Sequence, residues 1–345
     1  MRKIRTGIIG FGQISRILHA PMVASHPDFE LAGIVQRHGN ACQEAYPQAT
    51  HYTDHLEMLK DESIELVVVA SPNHLHYSMA KEALEHGKHV LVEKPFVLHK
   101  AEGEELIRLA DAVEREIFIF QNRRLDGDFL TVKDLIAKNT LGEIQRFVST
   151  WNLDRPVLPL EQQSRPWKEA ELEGNDLLYD LGPHLLDQAL QIFGLPLHVE
   201  GRLEKERPGT KVADSFAIRM DYDSLVVELE ASRAAKEQTP RFHVTGAEGV
   251  YEKYGFEVQE AQLSAGMSTE EEDYGVEPEE SWGIVRFRDG REEKVPTLPG
   301  NYRHFYDNVA DVLLFEEQPL VQPAEALLHL ELIERLEEAH GPEGK

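Results

Sequence analysis

The sequence predicts a two-domain α/β protein. A doubly wound parallel sheet comes first, and an α+β domain with an open, mostly antiparallel sheet follows. Three observations predict this. From Lys3 to Gln121, short apolar runs alternate with amphipathic stretches. Beyond that the runs change character and alternate apolar with polar residues. The chain of 345 residues is also long enough for two cores. We place the domains at residues 1–123 and 124–345, with the last helix expected to pack back on the first domain.

The early runs are "IRTGIIG", "FELAGIVQ", "ELVVVAS", "KHVLVEK" and "EIFIFQN". They are nearly continuous in apolar residues, as strands covered on both faces must be. Between them lie helical stretches such as "HYSMAKEALEHGK", with Met79, Ala80, Ala83 and Leu84 on one face and Gly87 as a stop. Strands alternating with helices give a parallel sheet. Right-handed crossovers put the C-terminal ends of its strands on one edge, where ligands bind. In the second domain, a helix over Asp128–Lys138 leads through Gly142 into "RFVSTWNL", "HVEGRLEKE", "SFAIRMDY", "LVVELEASR" and "RFHVTGAEGVYEKYG". Their alternation predicts strands with one covered face. The other face is solvated or paired with another copy, and its Val, Phe and Tyr residues favour an oligomer. Two amphipathic helices are expected near Tyr302–Leu314 and Pro323–His340.

The ligand edge carries the punctuation. "GFGQIS" follows the first strand. Gly10 permits a tight turn, Gly12 lets a pyrophosphate approach the backbone, and Ser15 is small enough for close helix–strand packing. The helix that opens at Gln13 and Ile14 then offers its N-terminal amides to phosphate. The third glycine of the usual motif is missing, and Pro21 should kink this helix. These features predict a Rossmann dinucleotide-binding domain. The second strand ends in Gln36, Arg37 and His38, with no acid to bond a ribose 2′-hydroxyl. A carboxylate would repel a 2′-phosphate, whereas Arg37 would hold one. This favours NADP, with NAD as the alternative served by Gln36. The third strand ends in Ser71, Pro72 and Asn73. Asn73 reads either as a helix cap or as part of the site. The fourth ends in Glu93-Lys94-Pro95, where the proline pushes Lys94 to an extended conformation.

In "NDLLYDLGPHLLDQALQIFG", Asp180 and His184 are four apart and share a helix face. The alternative start for this helix is Gly182 as cap with Pro183 first. An Asp beside a His fixes its tautomer and raises its basicity, which suits taking a proton from an alcohol. The other reading is a structural pair. No third ligand stands at a metal-site spacing, so no metal is expected.

Composition narrows the field. The net charge is −26, which disfavours nucleic acid and anionic membranes. The single cysteine, Cys42, excludes an intrachain disulfide and fits a reducing, cytoplasmic setting. The apolar stretch at the N-terminus is short for a signal peptide, and no window reaches the roughly 20 apolar residues of a spanning helix.

"GIIGFGQIS", "SPNHLHYSMAKEALEHGKHVLVEKPF" and "YDLGPHLLDQ", in that order, resemble the glucose–fructose oxidoreductase/inositol dehydrogenase (Gfo/Idh/MocA) family over nearly the whole chain. "QNRRLDGDFLTVK" and "PGNY" look like its NADP-dependent scyllo-inositol dehydrogenase subgroup. The resemblance implies a homodimer or homotetramer built through the C-terminal sheet. It implies that Lys94 lies near the nicotinamide and that Asp180 and His184 serve proton transfer. Gly10, Gly12, Gln13, Ile14 and Ser15 match the cofactor loop. Ser71, Pro72, Asn73, His76, Glu93 and Asn122 belong to the same cofactor site. Arg123, Trp151, Asp154 and Trp167 fall with Asp180 and His184 on the substrate side. Leu125 and Gln121 depart from the subgroup, which normally has tryptophan and histidine there, and so leave the polyol open.

The expected activity is oxidation of a secondary hydroxyl of a cyclic polyol or sugar. An unperturbed histidine titrates near 6.5 and lysine near 10.4, so His184 is the better-matched base and Lys94 its competitor. The alternatives are an NAD-dependent glycosidase on the same fold and a non-catalytic cofactor-binding regulator.

Overall fold

The computed structural model describes residues 2–158 and 166–339. It divides into two compact units. One takes in the chain as far as Asn122 together with Glu260–Glu272 and Tyr302–Leu328. The other takes in Arg123–Gln259, Asp273–Asn301 and the chain from His329 on.

In the first unit, the described residues form a sheet of six strands: β1 (Ile4–Ile9), β2 (Phe29–Val35), β3 (Thr50–Tyr52), β4 (Leu66–Val69), β5 (His89–Val92) and β6 (Ile117–Ile119). The order is β3-β2-β1-β4-β5-β6, and every pairing is parallel. Five of these strands are the five apolar runs. The sixth, β3, is three residues of mixed polarity at the sheet edge and had no apolar signal to announce it. The direction of winding reverses between β1 and β4, and that crevice is where such sheets hold ligands. Helices α1 (Ala20–Ser25), α2 (Ala41–Ala45), α3 (His55–Leu59), α4 (His76–Glu85) and α5 (Lys100–Ala112) connect the strands. On α4, His76, Ala80, Ala83 and Leu84 are buried, and Gly87 ends the segment at φ +71°.

Pro21 stands in the first turn of α1, where a backbone donor has no partner within the helix to lose. Residues Ser15–His19 wind as a π-helix, in which Ala20 N–H bonds Ser15 C=O, and α1 starts at Ala20.

In the second unit, α6 (Gly127–Ala137) leads to β7 (Ile144–Asn152), and α7 (Leu177–Phe193) precedes β8 (His198–Glu204), β9 (Ser215–Asp221) and β10 (Val226–Ser232). Then come β11 (Phe242–Gly246), β12 (Gly249–Lys253), β13 (Gly283–Phe287) and β14 (Glu292–Val295). The sheet order is β14-β13-β12-β11-β7-β10-β9-β8. Only β7 and β10 pair in parallel among these neighbours. The stretch "RFHVTGAEGVYEKYG" folds as two strands, β11 and β12, because the chain turns back at Ala247–Glu248. The β13–β14 hairpin was not anticipated, since β14 is exposed and charged.

The two faces of this sheet differ. Phe147, Phe216, Ile218, Met220, Leu229, Phe242, Val244 and Tyr251 are buried on the inner face, which α7 covers. The outer face carries a rung of Ile284, Glu252, His243, Val148, Glu228, Arg219 and Glu200, partners across successive strands. The aromatic residues expected outside therefore point inward. The open face is charged, with Val148, Val226, Val250 and Ile284 as apolar points among ion pairs such as Arg146–Glu228 and Arg286–Glu252.

A short helix, α8 (Gln259–Ser264), lies between β12 and β13, and two helices follow the last strand among the described residues: α9 (Arg303–Phe315) and α10 (Pro323–Glu338). Within the first unit α9 packs on α1, and Phe305 and Tyr306 join Phe29 and Phe120 in an aromatic cluster. No helix among the described residues is long and apolar enough to cross a membrane.

Candidate active site

The glycine loop after β1 has the backbone its sequence demands. Gly10 has φ +97°, and a Cβ there would lie 2.6 Å from Ala70 O. Any side chain at this position would be strained and would strike the β4 end of the crevice. Ser15 Oγ donates to Gly10 O at 2.6 Å and draws the loop onto the helix start. Gly12 and Gln13 are exposed, and nothing lies within 4 Å of a Cβ built on Gly12. Ile14 is half-buried. At the adjacent strand end, Ser71 Oγ is buried with no hydrogen-bond partner among the described residues. An open backbone cradle beside an orphaned hydroxyl fits the phosphates of a dinucleotide.

At the end of β2, Gln36 is spent on the loop itself. Its Nε2 donates to His38 O at 2.7 Å and its Oε1 accepts from Cys42 N at 2.8 Å. Arg37 and His38 are exposed. At the end of β4, Asn73 opens a 3-10 turn, Asn73–Leu75, and the cap position of α4 falls on Leu75. The helix-cap reading of Asn73 is thereby corrected: the intervening turn shifts the start of α4 downstream.

The end of β5 is tightly held. Lys94–Pro95 is a cis peptide. Lys94 N–H donates to its neighbour Glu93 Oε2 at 3.0 Å. Glu93 Oε1 lies 2.9 Å from His19 Nε2, and His19 Nδ1 lies 2.7 Å from Tyr306 Oη. Burial pushes Glu93 up, but the His19 hydrogen bond and charge, with Lys94 and His76, outweigh it and hold the carboxyl below its usual range. On the other side His76 Nδ1 lies 2.7 Å from Pro95 O, and Nε2 lies 3.0 Å from Ser71 O. Burial pushes His76 down despite those two carbonyls. A neutral ring has one N–H, and the shorter contact, to Pro95, is where it belongs. Asn122 is buried just beyond β6.

In the second unit, α7 runs unbroken through Pro183, from an N-cap at Asp176 whose side chain accepts from Tyr179 N at 3.1 Å. The alternative start at Gly182 is corrected, because Asp176 supplies a stronger cap one and a half turns earlier. On one continuous helix Asp180 and His184 lie on one face, about 5–6 Å apart at Cβ. His184 is buried. Asp180 accepts from Lys168 Nζ at 2.8 Å and from Arg233 Nη2 at 2.9 Å. One turn on, Asp187 takes a two-pronged bond from Arg124, with Nε–Oδ2 2.9 Å and Nη2–Oδ1 2.6 Å, and lies 3.1 Å from His329 Nε2. Burial pushes Asp187 up, and these two partners more than reverse it, leaving the carboxyl below its usual range.

Among the expected substrate residues, Arg123 and Trp151 meet: the guanidinium carbon sits 4.2 Å from the indole centroid. Arg241, missed from sequence, lies 5.0 Å from the same ring and donates to Gln188 Oε1 at 2.8 Å. Asp154 instead forms an exposed ion pair with Lys236 at 2.8 Å. Trp167 lies in the 3-10 turn Pro166–Glu169, and its side chain is outside the described residues. His19 and Tyr306 were also missed. They are 287 positions apart, so no local spacing could pair them. No group of three or more His, Cys, Asp or Glu among the described residues is placed to hold a metal ion.

Comparison with known proteins shows the family and the fold. Residues 4–120 match the model of an oxidoreductase family with an NAD-binding Rossmann fold, and residues 129–252 match the GFO/IDH/MocA C-terminal domain. The uncharacterized oxidoreductase YdgJ of Escherichia coli is 37% identical over 96% of this chain and 94% of its own length. The scyllo-inositol 2-dehydrogenase (NADP(+)) IolW of Bacillus subtilis is 32% identical over 89% of this chain and 86% of its own. The solved structure of the Bacillus subtilis oxidoreductase yvaA superposes with a TM-score of 0.92 at 30% identity, covering 98% of this chain and 96% of that one. A nucleotide cradle on a parallel sheet, a lysine fixed at the end of β5 and an open second sheet are thus found together in a chain that belongs to the GFO/IDH/MocA family of oxidoreductases.

Proposed function

We propose that this oxidoreductase interconverts a secondary hydroxyl and a ketone on a cyclic polyol or sugar of inositol type, with NADP as its preferred cofactor. The nicotinamide of the bound dinucleotide supplies the hydride acceptor. The chain supplies the rest. Gly10, Gly12 and Ser15 shape the phosphate loop. Arg37 is the only cation in the Gln36–His38 segment, Gln36 being occupied by its own loop, and a 2′-phosphate needs such a cation. His184 takes the hydroxyl proton, since a neutral imidazole is matched to that task near pH 7. Asp180, on the same face of α7, orients it. Lys94 donates to the oxygen as it becomes a carbonyl, which stabilises charge where it develops. Arg123 and Trp151 offer a stacked guanidinium and indole, a surface suited to the apolar face and hydroxyl rim of a sugar ring.

The observation that carries the reading is the strand-end lysine, whose own N–H is held by Glu93 and whose next residue, Pro95, has its carbonyl held by His76, in a sheet that also presents the nucleotide loop. The test is a panel of inositols, other polyols and sugars with NADP and with NAD, following absorbance of the reduced cofactor. Turnover of a cyclic polyol or sugar with NADP is expected. Turnover confined to acyclic or non-hydroxyl substrates would overturn the reading.

A further inference from the structure

We infer that His19 and Tyr306 are positioning residues of the reaction, setting the direction of Lys94 through Glu93. The inference rests on the reading above that Lys94 takes part in the chemistry.

The contacts form one continuous chain. Glu93 is held as a carboxylate and so only accepts. His19 Nε2–H therefore donates to Oε1 at 2.9 Å, and Lys94 N–H donates to Oε2 at 3.0 Å. His19 Nδ1, on the far side of the ring, then shares a hydrogen bond with the Tyr306 hydroxyl at 2.7 Å. Tyr306 and His19 are 0% exposed and Glu93 is 8% exposed. The Phe120 ring, 4.6 Å from that of His19, walls the chain from water.

A buried carboxylate is a costly way to end a strand. Taking it out of water costs several kcal/mol, and a hydrophobic group of similar size would be as stable or more so. What the carboxylate provides is direction. Glu93 fixes the peptide plane before Lys94, and His76 fixes the carbonyl of Pro95 at 2.7 Å. The backbone dihedrals of Lys94 lie between these two anchors, so its side chain leaves the strand in one direction. Tyr306 comes from α9 and His19 from the helix of the nucleotide loop, so the same chain ties the phosphate-binding element to the lysine.

The test compares Tyr306→Phe, His19→Leu, His19→Gln and Lys94→Met in the full-length protein, alone and with Tyr306→Phe added to Lys94→Met. Tyr306→Phe keeps the ring and removes the bond. It should lower kcat roughly 10- to 100-fold, the scale of a small misplacement, with the cofactor dissociation constant little changed. His19→Gln, which can both donate and accept, should recover most of what His19→Leu loses. In the absence of substrate and cofactor, Tyr306→Phe should speed deuterium exchange at the Lys94 amide while the amides of β4 stay protected. Added to Lys94→Met, it should do little further harm, because groups that act through one another are not additive. Unchanged kcat in Tyr306→Phe with a slow Lys94→Met would overturn the inference, as would an equal loss in both backgrounds. Normal turnover in Lys94→Met would instead sink the role given to the lysine itself. Should Tyr306→Phe not fold, His19→Gln against His19→Leu decides by the same measures.

Discussion

Acid should destabilise the first unit through one histidine, His89. It opens β5, and its Nδ1 accepts the Glu116 amide at 2.9 Å. A protonated ring could not accept that bond. Burial first, and then the nearby Arg115 charge, push its pKa down to about 4. The sign follows from linkage. An unfolded histidine binds a proton near 6.5, so between that value and about 4 the unfolded chain holds a proton the folded one does not. Stability is therefore intact above 6.5 and lost as pH falls. At 1.36 kcal/mol per pKa unit the full cost is about 3 kcal/mol, of which about 2 kcal/mol is lost between pH 7 and 5. Other buried carboxyls also respond to acid, so the measurement must be a difference. His89→Asn keeps an oxygen to accept the Glu116 amide but cannot titrate. Urea denaturation of both proteins at the two pH values should show the unmutated chain losing about 2 kcal/mol more than the variant. Parallel losses would show that His89 is not the titrating group.

Arg37→Asp should weaken NADP relative to NAD by at least the 1.5–3 kcal/mol of a charged hydrogen bond, roughly 10- to 150-fold in the ratio of kcat/KM; equal efficiency with both cofactors in the unmutated enzyme would refute the assignment. Lys94→Met and His184→Ala should each lower kcat by roughly 10²–10⁴-fold, and the double variant by less than the product; multiplicative losses would mean the two act independently. The open face of the second sheet should pair with another copy through its charged rungs. Light scattering should then give a dimer or tetramer that loosens at high salt, and a monomer at every micromolar concentration would exclude the interface.

The legible parts of this chain are those where chemistry is local. Five strands of the first sheet announce themselves because burial on both faces leaves them mostly apolar. Gly10 is legible because only glycine adopts its φ beside Ala70 O. β3 and the β13–β14 hairpin were invisible, since edge strands this short or charged carry no periodic signal. The outward aromatic face was misjudged for a related reason. Alternation says that two faces differ, and register decides which faces the core. Around the site, Lys94, Asp180 and His184 sit in short motifs. His19 and Tyr306 do not, because their pairing exists only after α9 returns to the first unit.

The second unit qualifies one expectation about its histidine. A lone carboxylate beside His184 would favour the protonated ring and so spoil a base that must start neutral. Asp180 is not a lone carboxylate. Lys168 and Arg233 each donate to it, one per oxygen, at 2.8 and 2.9 Å. The two cations offset its charge while leaving its orientation fixed. The pair is only partly exposed, with the Arg233 side chain 11% and that of Asp180 20% accessible, so solvent screens the effect incompletely. Removing Arg233 as Arg233→Met, close in length and uncharged, takes away one of the two positive charges beside Asp180 and leaves that of Lys168. The imidazolium of His184 is then favoured, and a base lost to protonation must be recovered by raising the pH. The acid limb of the pH–kcat/KM profile should move to higher pH, while the plateau reached above it stays within a few-fold of the unmutated enzyme. The opposite displacement, or a lowered plateau with an unmoved limb, would mean that Arg233 serves substrate binding or the fold and that Asp180 does not govern the proton on His184.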